Sequence, residues 1–170
     1  VFRAETDLVS FGVTVLDRRG DLLTDLTGEH FEILENAIAA EGGAIVKTMG
    51  DAVMATFRHP VDALKSVWKA QSEIAKYGEP MLWLKAGLHK GPCIIVNLNE
   101  RLDYFGSTVN ITARLPNFSK GGELIFSETF YQDPEIQNFL AENVSTSALQ
   151  CFTGDVKGYD EPFTMWKVRV

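Results

Sequence analysis

Two β-prone runs, Ala44 to Met49 (AIVKTM) and Ala52 to Phe57 (AVMATF), are separated only by Gly50 and Asp51. Two residues leave room for nothing but a tight turn, so the runs must close as an antiparallel hairpin with a carboxylate at its tip. Helical patterns flank it. From about Leu22 to Ala40, Leu23, Leu26, Phe31, Leu34 and Ile38 recur on one helical face, and Gly42-Gly43 stops the run. Downstream, Pro60 opens a second amphipathic helix that sets Val61, Leu64, Trp68, Gln71 and Ala75 on one side, with Gly78 and Pro80 closing it.

The remaining chain continues the alternation. VFRAET reads as a first strand. MLWLKAGLH and CIIVNL predict two strands joined by turn residues Lys90-Gly91-Pro92, with a loop after them. Thr108 to Phe118 predicts a short helix starting after Gly106, Gly122 to Ser127 a strand, Pro134 to Ala141 a brief helix and MWKVRV a closing strand. Hairpins require antiparallel pairing while helices interleave with the strands, so the expected class is α+β with helices packed on a mixed sheet.

The chain has 170 residues, 45% of them hydrophobic, and shows no repeat, low-complexity tract or linker. A single domain over 1–170 follows, large enough to bury a core. Its net charge of −7 lacks the basic footprint of duplex-binding proteins, so nucleic acid is not an expected partner, although a local site for a phosphorylated small molecule is compatible with it. Cys93 and Cys151 cannot build a disulfide framework, which fits a reducing, cytoplasmic setting. No apolar run reaches the ~18 residues of a membrane span, and VFRAETD lacks the layout of a signal peptide. The chain is expected to be a soluble domain or the cytosolic part of a longer protein.

Several residues can carry chemistry. Lys47 enters the hairpin turn four residues before Asp51, and Asp103 precedes a Gly106 that opens the short helix. Asn110 and Arg114 are four apart and share a helical face. Read by themselves, Asp51 is turn chemistry, Lys47 a strand-edge lysine that discourages aggregation, Asp103 a loop residue, and Asn110 and Arg114 helix surface. His30, His59 and His89 have no metal-ligand spacing, and Cys93 reads as a small buried hydrophobe.

Taken in order, KTMGDAVMATF, LKAGLHKGP, LDYFGSTVNITARL, GELIFSE and VKGYDEPFTMWKV resemble the class III nucleotidyl cyclase catalytic domain over nearly the whole chain. The resemblance implies a ferredoxin-like βαββαβ core with additional strands and a head-to-tail homodimer with its sites at the interface. It also implies conversion of a nucleoside triphosphate to the 3′,5′-cyclic monophosphate and pyrophosphate, with two divalent cations, Mg²⁺ or Mn²⁺, as cofactors. Regulatory domains are expected elsewhere in the full-length chain. Asp51 takes the second metal position. Counting back along the helix to the family's first metal motif, F-x-D-I-x-G-F-T, sets TDLVSFG on it, with Asp7 as the carboxylate and Phe11 as the aromatic. Glu5, Ser10 and Gly12 depart from that motif, and VFRAET is more polar than the family's buried central strand. Lys47 and Asp103 fall on the base-contacting positions. Adenine offers an acceptor at N1 and an amino donor at N6, so a Lys and Asp pair favours ATP over GTP. Asn110 would orient the ribose, Arg114 would stabilise charge on the phosphoryl oxygens, and Lys157 falls near the triphosphate. The expected activity is therefore an adenylyl cyclase; the alternatives are a cyclase-like regulatory or nucleotide-binding module with a degenerate metal loop, and a guanylyl cyclase.

Overall fold

The computed structural model describes residues 4–16, 28–50, 52–76, 83–98 and 101–170. The hairpin forms where the sequence requires it: β2 (Ala44–Met49) and β3 (Ala52–Phe57) pair antiparallel, and Gly50 turns at φ 61°. Strand β1 (Ala4–Leu16) runs antiparallel to β3 on one side and to β4 (Trp83–Leu98) on the other. Helices α1 (Gly28–Ala40) and α2 (Pro60–Ile74) make the two crossings. The spatial order β2-β3-β1-β4, reached through β1-α1-β2-β3-α2-β4, is the expected ferredoxin-like arrangement.

Four further strands extend that core. β6 (Glu123–Ser127) pairs parallel to β4, β8 (Phe163–Arg169) antiparallel to β6, and β7 (Gln150–Gly154) antiparallel to β8 at the far edge. β5 (Arg101–Phe105) pairs with the end of β4, off the main path. The segment expected to be a loop is thus a strand, and it carries Asp103.

The two strands expected either side of Lys90-Gly91-Pro92 are one continuous strand, because β1 pairs through the expected break, from Leu16↔Trp83 to Ala4↔Ile95. Pro92 is tolerated there for a local reason. β6 covers residues 85–88 of β4 and β5 covers 94–98, so Pro92 lies where β4 has a strand neighbour on one side only.

The faces of the sheet carry different helices. Leu84, Ala86 and Leu88 of β4 join Leu124 and Phe126 under α1, α2, α4 (Glu128–Tyr131) and α5 (Pro134–Asn143) in the main core. The opposite face holds a smaller cluster of Ile111, Leu115, Ile125 and Met165 beneath α3 (Ser107–Thr112) and the 3₁₀ turn Leu115–Phe118. Glycines on β4 admit that second layer. A Cβ on Gly87 would lie 2.6 Å from Leu115 Cβ and Pro116 Cδ, and one on Gly91 2.7 Å from Thr108 Oγ1. Such contacts are too short for any larger residue, so the backbone gap on β4 sets where α3 sits.

Candidate active site

The two residues expected to read the base lie side by side. Lys47 on β2 and Asp103 on β5 are 56 positions apart in sequence, yet Lys47 Nζ donates to Asp103 Oδ1 at 3.2 Å. Both side chains remain about one-third exposed, 38% and 32%. A half-solvated pair of this kind contributes only ~0–1 kcal/mol, so an entering ligand can open it at little cost. The Tyr104 backbone N–H donates to Asp103 Oδ1 at 2.9 Å and, with the smaller effect of Lys47, holds the Asp103 carboxyl below its ordinary range. Asp103 is therefore an ionised acceptor at neutral pH.

β5 leads directly into α3. Gly106, at φ 126°, precedes the helix, and the Thr108 hydroxyl donates to the Pro92 carbonyl, tying the first turn to β4. Asn110 is exposed on α3, and Arg114 follows the helix end with its N–H donating to the Ile111 carbonyl at 2.9 Å. Asn110 thus stands within the helix and Arg114 just past its end, where the next turn begins. Among the described residues the Arg114 guanidinium has no carboxylate partner. Lys157 is exposed in a turn whose Gly158 backs onto Arg114; a Cβ on Gly158 would sit 4.0 Å from Arg114 Nη1. Two cations without acid partners among the described residues thus lie near the end of α3, an arrangement suited to a polyanion.

Of the two expected metal ligands, only the backbone of Asp7 lies among the described residues. Asp51 lies outside the described residues, but its neighbour Ala52 pairs with Thr14 near the end of β1. Asp7 pairs with Pro92, beyond the Val9↔Phe57 pair that ends the β1 and β3 ladder. Asp7 and Thr14 are seven positions apart, or about 23 Å of extended strand. Carboxylates sharing a cation pair must lie within a few Å of ions that are themselves ~4 Å apart. The described backbone therefore sets Asp7 well along β1 from the strand pair that enters the hairpin turn. A second candidate for that carboxylate is in the sequence: Phe11 to Leu16 (FGVTVL) is the near-continuous apolar run expected of a central strand, and Asp17-Arg18-Arg19-Gly20 follows it with the carboxylate-x-x-Gly spacing. Asp17 lies outside the described residues.

His89 is buried on the α3 face of β4 and shares a 2.7 Å hydrogen bond between Nδ1 and Ser127 Oγ. Burial pushes its pKa down to about 4, so it is neutral at physiological pH and has a packing role. No described helix is long and apolar enough to cross a membrane.

Comparison with known proteins agrees with this fold. A family model described as the adenylate and guanylate cyclase catalytic domain matches residues 6–164. Adenylate cyclase 1 of Rhizobium meliloti is 26% identical over 133 residues, covering 68% of this chain and 20% of that protein. A receptor-type adenylate cyclase of Trypanosoma equiperdum is 24% identical over 191 residues, covering 87% and 39%. The chain thus spans well under half the length of these relatives. Among solved structures, the adenylyl cyclase CyaB from P. aeruginosa superposes with a TM-score of 0.76 at 20% identity, over 100% of this chain and 97% of that one. An adenylate/guanylate cyclase/hydrolase from Silicibacter pomeroyi gives 0.78 at 21% identity, over 99% of both. The chain belongs to the family of adenylate and guanylate cyclase catalytic domains.

Proposed function

We propose that this cyclase-family domain is an adenylyl cyclase that works as a homodimer, converting ATP to 3′,5′-cyclic AMP and pyrophosphate. The observation that carries the choice of base is the Lys47 and Asp103 pair. Lys47 donates to adenine N1 and Asp103 accepts from the N6 amino group, each exchanging its partner for the base edge. Guanine presents a donor and a carbonyl at the same positions, leaving both side chains mismatched.

The ribose 3′-oxygen gives up its proton to solvent water and attacks the α-phosphorus, and the bond from that phosphorus to the oxygen it shares with the β-phosphorus breaks to release pyrophosphate. Asn110 orients the ribose, so that attack starts near its reacting geometry. Arg114, free of acid partners among the described residues, donates to the phosphoryl oxygens as their charge grows, and Lys157 binds the triphosphate beside it. The metal carboxylates are assigned to Asp17 and Asp51, which would hold two Mg²⁺ or Mn²⁺ ions that neutralise the triphosphate. In the dimer each protomer gives this acidic pair to one site and the α3 residues to the other.

The test is to incubate the purified domain with Mn²⁺ or Mg²⁺ and either ATP or GTP, and to quantify cyclic nucleotide and pyrophosphate. Cyclic AMP is the expected main product, with Asp17→Asn losing at least ~100-fold in rate and Asp7→Asn retaining wild-type activity. Preferential cyclic GMP would overturn the base assignment. No product from either nucleotide would favour the binding-module alternative, and an inactive Asp7→Asn beside an active Asp17→Asn would restore the original metal assignment.

A further inference from the structure

We infer that Tyr159 is a positioning residue for the cyclisation step, locking the turn that carries Lys157 to the helix that carries Asn110 and Arg114. The inference rests on the proposed function and adds a residue to it.

Val156 to Tyr159 form a β-turn closed by the Tyr159 N–H donating to the Val156 carbonyl at 3.0 Å. Gly158 occupies its third position at φ 90°, the left-handed conformation that a type II turn demands there. Val156 is buried, Lys157 is exposed at the second position, and Tyr159 folds back onto the small core. Its ring packs against the Ile111, Leu115, Ile125 and Met165 cluster and lies 6.1 Å from the Phe163 ring. Its hydroxyl donates to the carbonyl of Ser107, the first residue of α3, at 3.4 Å. At the other end of that helix, Gly158 backs onto Arg114. One loop therefore touches α3 at both ends.

This matters because α3 has six residues. A helix that short has no stability of its own, and its orientation is whatever its neighbours impose. β4 fixes one side through Gly87 and Gly91; Tyr159 is the hold on the other. Displacing a reacting group by ~1 Å can cost on the order of 10²-fold in rate without comparable loss of binding. The hydroxyl bond is long, so the ring supplies most of the hold.

Tyr159→Leu and Tyr159→Phe in the 170-residue chain test this, read by kcat, KM for ATP, melting temperature and pyrophosphate binding by calorimetry. Tyr159→Leu is expected to lower kcat by about 10-fold or more with KM within ~3-fold, and to weaken pyrophosphate binding severalfold. Tyr159→Phe should lose only about 2- to 5-fold in kcat, at an unchanged melting temperature. Wild-type kcat in Tyr159→Leu, or a loss confined to KM, overturns the inference. If Tyr159→Leu does not fold, Tyr159→Phe decides: reduced kcat at unchanged KM supports the role and wild-type kcat overturns it. If the wild-type chain makes no cyclic nucleotide, the proposed function fails separately. Pyrophosphate binding then decides: severalfold weaker binding by folded Tyr159→Leu supports the inference and equal affinity in wild type and Tyr159→Leu overturns it.

Discussion

Single side chains in this domain divide by what they are paired with. Lys47 and Asp103 satisfy each other in a weak, half-exposed contact that a purine edge can replace, whereas Arg114 and Lys157 have no acid partner among the described residues. His89 is the opposite case, enclosed by the hydroxyls of Ser127 and Thr129 and by the Phe163 ring, 6.2 Å away. Its pKa is lowered to about 4 by burial, against 6.5 for an ordinary histidine. The unfolded chain therefore binds a proton between these values that the folded chain refuses, so stability is complete above pH ~6.5 and falls as pH drops toward 4. The loss amounts to roughly 3 kcal/mol at most. Melting temperatures measured from pH 7 to pH 4 should fall more steeply for wild type than for His89→Gln. Parallel curves would show that other groups dominate acid sensitivity.

At the level of elements, α3 depends on the strand beneath it. Gly87 and Gly91 leave a shallow trench on β4 into which the helix and the following 3₁₀ turn settle. Gly87→Ala sets a methyl 2.6 Å from Leu115 and Pro116 and 3.0 Å from the Thr112 carbonyl. The proline ring cannot swing aside, so the layer must lift. Overpacking of this kind costs about 1–3 kcal/mol, and calorimetry should record a lower melting temperature together with reduced cyclase activity. An unchanged melting temperature would mean that the layers are looser than these contacts require. β1 supplies the other lesson at this scale: its pairing, and not residue spacing, sets Asp7 well along the strand from the pair that enters the hairpin turn.

For the whole molecule, the proposal divides labour between protomers, and mixing inactive variants tests the division. Asp51→Ala and Arg114→Ala, each inactive alone, should regain about a quarter of wild-type activity when combined, because random exchange makes half the dimers mixed and each mixed dimer keeps one intact site. Absence of rescue after verified subunit exchange would mean that each protomer carries a self-contained site. The dependence on the metal should move in step, with the mixed sample restored by the same Mn²⁺ or Mg²⁺ concentrations as wild type.

How much was legible in advance follows from the range of each interaction. The hairpin, both crossing helices and the spacing of Asn110 and Arg114 were readable because turn chemistry, periodicity and i,i+4 geometry act within a few residues. The proposed base-reading role of Lys47 and Asp103 rests on family resemblance, since nothing local joins residues 56 apart. Three things required the folded chain: the unbroken β4, the strand beneath Asp103, and the position of Asp7 far from the hairpin turn. Strand register is set by which side chains reach a core built from distant segments, so the sequence determined the elements and the tertiary structure decided which residues meet.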